Sequence, residues 1–432
     1  MSAPQCAAGR PWRLALVWLV VLAVLFYSSY GFALWASAQR SSVGSIVFDW
    51  ERHIPFAGWT IFPYWSVNGF YAASFFVCAT RAELLTHVKR LLTAQALSVT
   101  VFLLYPLRFS FERPPVDGAA GFMFDVLAGF DRPFNQMPSL HISLLVILWF
   151  LYAAHLPRRW HGLLHGWFAL IGLSILTTYQ HHFIDLPTGL WVGLFCVWLF
   201  PLHAPAAEKP APQLRLAAYY LIGATALAVL ALALGGAAFW LLWASGALAL
   251  VAGAYAGLGT PIFHKTDEGR HQRAARWLLW PYLWGAWLNS RAWTWRAPAP
   301  VQVADGVYLG RVPSARELRA GGFCALLDLT AECEVLPGKL AYRCVPLLDL
   351  VPPSAAQLQA AAEAIEALRP QGKTLVCCAL GYGRSAAAVA AWLLHSGRAS
   401  TAAQAVQRVR RARPQIVLGE RVFAALAALP AR

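Results

Sequence analysis

Runs of about twenty apolar residues, long enough to cross ~30 Å of hydrocarbon at 1.5 Å per residue, recur along the first 258 positions and then stop. They predict spans at Leu14–Trp35, Trp59–Cys78, Leu91–Leu107, Ser139–Leu156, Leu163–Thr178, Pro187–Phe200, Leu216–Leu234 and Ala237–Leu258. From His264 to Arg296, Arg and Lys mix with Trp277, Trp280, Trp284, Trp287, Trp293 and Trp295, and Pro281 interrupts the run. That composition belongs to a helix lying in the headgroup region. From Val301 the rhythm changes again. Short β-rich runs (Gly306–Leu309, Ala325–Leu329, Tyr342–Leu348, Thr374–Cys378) alternate with helical ones (Ala355–Leu368, Ser385–His395, Thr401–Ala412, Glu420–Leu429), which predicts a compact α/β domain with its sheet covered by helices.

The expected architecture is multi-domain. An all-α polytopic membrane bundle occupies residues 1–205, with its core at about 50–205, and two further transmembrane helices occupy 206–262. A Trp-rich basic interfacial linker follows over 263–300, and a soluble α/β domain over 301–432. At the amino end, Arg10 and Arg13 precede an apolar run longer than a signal-peptide core and without a small-residue cleavage site, so it reads as an uncleaved first span.

Composition sharpens this picture. With 59% of the 432 residues hydrophobic and 13% charged, a soluble enzyme with a polar surface is excluded. The net charge of +15 does not point to nucleic acid, because the basic residues sit at the ends of apolar runs, where membrane orientation accounts for them. Arg10 and Arg13, then Arg81, Lys89 and Arg90, then Arg158 and Arg159, then Lys209 and Arg215 fall on alternate connections, which are expected in the cytoplasm. Both termini then lie inside a multi-pass inner membrane of the bacterial type. Cys324, Cys333, Cys344, Cys377 and Cys378 all fall in the soluble domain, as suits reduced thiols in a cytosol. A ninth span through the Trp-rich stretch is the competing topology, and it would carry those thiols outside.

Polar residues that a lipid-facing helix would not tolerate cluster at Arg108–Pro114 (RFSFERP), Pro138–Ser143 (PSLHIS) and Ser174–Asp185 (SILTTYQHHFID), all at outward ends of spans. His181 and Asp185 are four apart, so on one helical turn the carboxylate can hold one imidazole nitrogen and leave the other to attack phosphorus. His141, on another span, can protonate the departing oxygen, while Arg108, Arg113 and Arg132 neutralise phosphate charge. His182, His155, His161 and His165 read as ordinary interfacial residues. The bland alternative is that His141 and His181 only cap helices or bond to neighbours. These segments resemble the type 2 phosphatidic acid phosphatase superfamily over about residues 50–205, with HHFID similar to its inositol-phosphate and phosphocholine lipid transferase branch. The resemblance implies a phosphorylated His181, His141 as the acid, Asp185 as its partner, Arg113 and Ser139 on the phosphate, and no metal or other cofactor. It implies either water or a lipid alcohol as acceptor. Ile175 stands where the family carries arginine, and Arg108 lies five residues before Arg113 where a lysine seven before is usual.

The run Thr374–Ser385 (TLVCCALGYGRS) is the sharpest local signal. Gly381 and Gly383 let a loop curl until its N–H groups converge on one phosphate, and the following helix adds its positive end. The same field favours a thiolate at Cys378, Arg384 can grip two phosphoryl oxygens, and Ser385 can donate to the leaving sulfur. The run resembles the Cys-x5-Arg loop of the cysteine-dependent phosphatases, and residues 301–429 as a whole resemble their dual-specificity branch. That resemblance implies an upstream aspartate as general acid, Asp349 first and Asp328 second. Cys377 replaces the histidine usual beside the nucleophile and is a possible disulfide partner for Cys378. Ala379, Leu380 and Tyr382 carry no charge, so the loop suits a single phosphomonoester.

The chain therefore reads as a phosphoric monoester hydrolase with two sites acting on membrane lipids and lipid phosphates. A phosphoprotein substrate, with the helices as an anchor, is the rival. The non-enzyme reading makes the membrane half a lipid sensor.

Overall fold

A computed structural model describes residues 10–202 and 211–429, and Lys209 of the topology assignment lies outside them. The chain forms two compact units, Met1–His203 and Ala204–Arg432.

The first unit is helical: α1 (Trp12–Ala38), α2 (Ile61–Val77), α3 (Arg81–Leu104), α4 (Gly118–Phe130), α5 (Leu140–His155), α6 (His161–Thr177) and α7 (Asp185–Leu199). Helices occupy each apolar segment expected here, and α1 and the stretch Arg158–Thr177 are long and apolar enough to cross a membrane. Helix α4 falls in a stretch expected to be an outward-facing connection. At 13 residues it reaches only about 20 Å, and its Phe124 and Leu127 pack into the core formed by Ile61, Ile142 and Ile171. Two glycines set the closeness of α5 and α7. A Cβ at Gly189 would stand 2.6 Å from the Ser139 carbonyl oxygen, and one at Gly193 would stand 2.7 Å from that of Ser143. The Ser143 hydroxyl donates to the Gly189 carbonyl at 3.0 Å across the same seam.

The second unit begins with an apolar hairpin, α8 (Leu214–Leu234) and α9 (Leu241–Gly253), followed by α10 (Arg273–Leu278) and α11 (Trp280–Trp293). Leu214–Leu234 and Gly236–Leu258 are each long and apolar enough to span a bilayer. The linker forms two helices rather than one. Pro281 occupies the first turn of α11, where a missing N–H leaves no bond unmade. All six tryptophans of this stretch remain largely exposed, from 42% at Trp287 to 69% at Trp293.

The sheet domain runs β1 (Val301–Ala304), β2 (Val307–Arg311), α12 (Ala315–Gly321), β3 (Ala325–Thr330), β4 (Ala341–Leu347), α13 (Ala355–Leu368), β5 (Thr374–Cys378), α14 (Arg384–His395), α15 (Ala402–Ala412) and α16 (Glu420–Ala427). Elements expected from sequence appear within two residues of their anticipated limits. β1 and α12 are additions: one is a four-residue edge strand, the other a seven-residue helix started by a Ser314–Glu317 capping box. Strand order is β1-β2-β5-β3-β4, with β1 antiparallel and the rest parallel. Central β5 is buried at every position, as a strand covered on both faces must be. Leu309 and Leu327 flank its Val376. Successive strand residues face opposite ways, so Cys377 packs with Leu326 and Leu375 while Cys378 faces the Ala-rich side of α14.

Candidate active sites

β5 delivers Cys378 to the carboxyl end of the parallel strands, where ligands of such sheets collect. The following loop runs into the amino end of α14, a ready anion site. Gly381 makes the curl possible. Its φ is +76°, and a Cβ there would stand 2.5 Å from the Gly310 carbonyl carbon. Its N–H donates to the Cys378 sulfur at 3.2 Å, and the Ser385 hydroxyl lies 3.1 Å from that sulfur. Gly383 caps α14. Of the residues expected in this loop, Gly381 and Ser385 are the ones that contact the Cys378 sulfur among the described residues.

Arg384 opens α14 and is buried. Its Nη1 donates to Glu332 Oε2 at 2.9 Å and to the Leu347 carbonyl at 2.8 Å, and its Nη2 donates to Glu332 Oε1 at 2.5 Å. Nη2 also lies 3.0 Å from Asp349 Oδ1, while Nε has no partner among the described residues. Glu332 thus holds one edge of the guanidinium. The other edge, Nε and Nη2, is the fork that a phosphate would grip, and Asp349 now stands at one of its tines. Burial opposes the charge on both Arg384 and Glu332, yet their mutual attraction outweighs it, keeping the arginine far above and the glutamate below its ordinary pKa. Burial raises the Asp349 carboxyl and Glu332 repels its anion, with Arg384 acting against both. A carboxyl held above its usual range is suited to donate a proton.

Sequence reasoning missed Glu332. The available signal was an acid between Ala331 and Cys333, just past the end of a strand, but Asp328 and Glu334 nearby offered the same signal. The second-choice acid, Asp328, is excluded by its place. It is fully buried, accepts from Lys265 Nζ at 2.6 Å and Tyr342 at 3.0 Å, and pins the linker to β3 rather than facing the loop. Cys377 is likewise no disulfide partner. Both cysteines are free, they face opposite sides of β5, and burial pushes the Cys377 thiol well up.

In the first unit, His181 Nδ1 lies 3.1 Å from Asp185 Oδ2, and its Nε2 is 3.5 Å from the Ser139 hydroxyl, which also caps α5. The pairing arises differently from the expected helical turn. His181 lies in the connection after α6, and Asp185 is the first residue of α7. His141, in the first turn of α5, stacks on Tyr64 with ring centroids 4.4 Å apart, and its Nε2 is buried without a hydrogen-bond partner among the described residues. The arginines do not join them. The Arg113 guanidinium lies on the Phe124 ring at 4.5 Å, and Arg108 and Arg132 are exposed.

The four histidines read as unpaired interfacial residues all have partners. His155 meets Glu83 at 2.6 Å, His165 accepts from Trp149 Nε1 at 2.9 Å, and His161 meets the Leu156 carbonyl at 3.1 Å. His182 is the most elaborate. Its Nδ1 meets Glu51 Oε2 at 2.9 Å, and its Nε2 meets the Ser110 N–H at 3.1 Å and hydroxyl at 3.0 Å. Glu51 comes from a short 3-10 turn, Asp49–His53, which carries no motif.

Residues 307–429 match the family model of the dual specificity phosphatase catalytic domain. Among solved structures, Tk-PTP in its active form is 29% identical, covering 30% of this chain and 95% of its own, with a TM-score of 0.27. Human DUSP28 is 28% identical over 29% of this chain and 92% of its own, also at 0.27. PTPMT1 in complex with PI(5)P is 17% identical, covering 29% and 90%, again at 0.27. No curated protein matches the chain. The carboxy-terminal domain carries the catalytic domain of a phosphoric monoester hydrolase.

Proposed function

We propose that this protein is a membrane-bound, two-site phosphatase acting on lipid phosphates. The carrying observation is the cluster of Cys378, Ser385, Arg384 and Asp349 at the end of β5, within the matched domain. In this reading the Cys378 thiolate attacks phosphorus, Arg384 and the loop N–H groups hold the equatorial oxygens, and Asp349 protonates the departing alcohol. Water then cleaves the cysteinyl phosphate, with Asp349 taking its proton and Ser385 donating to the sulfur as it leaves. The exposed tryptophans of the linker support work at a lipid surface, where a headgroup substrate is concentrated.

The eight apolar segments are the spans of this reading, with both termini cytoplasmic, the histidine site at the outer face and the cysteine site inside. At the histidine site His181 is the nucleophile, Asp185 orients it, and the unpartnered His141 Nε2 supplies the proton. Water or a lipid alcohol accepts the phosphoryl group.

Purified full-length protein should release phosphate from phosphatidic acid in mixed micelles, with Cys378→Ser and His181→Ala each removing a separate share. Cys378→Ser should lower its share on the order of 10⁴-fold. Full activity in both single variants would overturn both assignments. The dual-specificity match favours one rival, a phosphoprotein phosphatase anchored by its helices, and that rival requires a phosphotyrosine peptide to outcompete the lipid.

A further inference from the structure

Beside Asp349 the second unit holds a cavity of about 360 Å³, within the ~300–1,000 Å³ range of small-molecule sites. Its polar end is formed by Asp349, Glu332 and Ala379, the residue after the nucleophile. Its opposite wall comes from outside the phosphatase domain: Tyr220 of α8, Ala244 and Leu248 of α9, and Tyr282 and Ala286 of α11. These helices touch the catalytic loops directly. Tyr255, in the turn that ends the hairpin, donates to the Asp349 carbonyl at 3.0 Å, and Ser290 of α11 donates to the Ala379 carbonyl at 2.5 Å. Tyr220 stacks on Tyr255 at 5.1 Å and meets Tyr282 edge-on at 5.9 Å. The apolar hairpin is thus built into the wall of the reaction site.

We propose that the Cys378 site draws its substrate sideways out of the bilayer, as a single phosphomonoester on an apolar stem that lies between α8, α9 and α11. The proposal rests on Cys378 being a phosphatase nucleophile and adds the route and the selecting residues. Three observations carry it. The hairpin is long and apolar enough to span a membrane, and its outer surface exposes Leu221, Ile222 and Val229 by 54–65%, a surface fit to face lipid beside the cavity wall. Apart from Asn289 and the tyrosine hydroxyls, the far wall offers aliphatic and aromatic surface, as an acyl stem requires and an extended peptide backbone does not. Among the described residues no lysine or arginine lines the cavity, so none of them neutralises a second phosphate there.

The test uses the full-length chain carrying His181→Ala, so that only the cysteine site turns over. Dioleoyl phosphatidic acid in dodecyl maltoside micelles, p-nitrophenyl phosphate and a phosphotyrosine peptide are compared with and without Ala244→Trp, which fills the stem end of the cavity. The expected result is that the ratio of kcat/KM for lipid to that for aryl phosphate falls at least thirtyfold, mainly through KM. An unchanged ratio, or a peptide preferred to the lipid, overturns the proposal. Loss of aryl phosphate turnover only in Cys378→Ser shows that the underlying reading stands regardless. Because Ala244→Trp can disturb folding, a second measurement uses the Cys378→Ser chain and a diazirine-bearing phosphatidic acid. Photolabel mapped by mass spectrometry should fall on α9 and α11 around Leu248 and Tyr282, and label confined elsewhere sinks the route.

Discussion

In the cysteine region the Ser385 hydroxyl and the Gly381 N–H lie within hydrogen-bond distance of the Cys378 sulfur, and Asp349 lies 3.0 Å from Arg384. The histidine region joins His181 to Asp185 and Ser139, but Arg113 rests on Phe124 and Arg108 stays in solvent. Arg384 and Asp349 pair beside the Cys378 loop, whereas the His181–Asp185 group has no arginine paired with it among the described residues. The difference follows from how each is encoded. The single stretch from the end of β5 to the start of α14 carries Cys378, Gly381, Arg384 and Ser385, and only Glu332, Leu347 and Asp349 reach it from other segments. The histidine residues come from separate segments joined by packing, and each segment end can settle where its own contacts lead.

The largest effect that would sharpen this contrast is expected at Asp349. If it is the acid of a preassembled site, Asp349→Asn should lower kcat/KM for alkyl phosphates by about 10³-fold. An aryl phosphate, whose leaving group needs little protonation, should lose less than about tenfold. Burial and Glu332 raise this carboxyl, so it stays protonated to a higher pH than an ordinary aspartate. Activity should therefore fall as pH rises through that raised value, and the falling limb should flatten in Asp349→Asn. Equal losses for both leaving groups, with an unchanged limb, would assign the acid elsewhere.

A smaller loss is expected from Gly381→Ala, which tests whether loop geometry does the assembling. The new Cβ meets the Gly310 backbone, so the loop must shift and the sulfur loses its N–H donor. Misplacement of that order should lower kcat/KM by about 10²-fold, with the α/β domain still folded by circular dichroism. Retained activity would mean that the curl is not needed.

Much of this contrast was legible in the residues. The periodicities of Ala355–Leu368 and Thr374–Cys378 placed α13 and β5 at their observed limits, because Leu358, Ile365 and Leu368 recur at helical spacing while β5 is uniformly apolar. The loop was readable for the same local reason. Glu332 was not, because its meaning arises only when β3 and α14 come together. Asp328 shows the converse: its distance from Cys378 in sequence looked usable, but its strand position points it at Lys265. The hairpin reads as two spans from sequence, and nothing in its hydropathy shows that Tyr255 reaches Asp349.

The smallest effect separates the two carboxylates of the histidine region, of which the sequence pointed to Asp185 and not to Glu51. Asp185 serves His181, whereas Glu51 accepts from His182 Nδ1 and from the N–H groups of Phe183 and Phe48. If this second array is a structural clasp, Glu51→Gln should leave His181 chemistry intact and cost about 1–3 kcal/mol, since an amide nitrogen must then face one of those donors. Burial works against the Glu51 anion, but His182 and the backbone donors outweigh it and hold its pKa below the ordinary value. Its stabilisation is therefore present above the unfolded carboxylate value and fades as pH falls through the lowered one. Hydrogen exchange in micelles should show acid-induced opening around residues 48–54 and 182–183 in the wild type, and the same opening at neutral pH in Glu51→Gln. Should Glu51→Gln instead abolish lipid phosphate turnover in the Cys378→Ser background with exchange unchanged, the clasp would have to be redrawn as part of the reaction, with Ser110 at its exposed end.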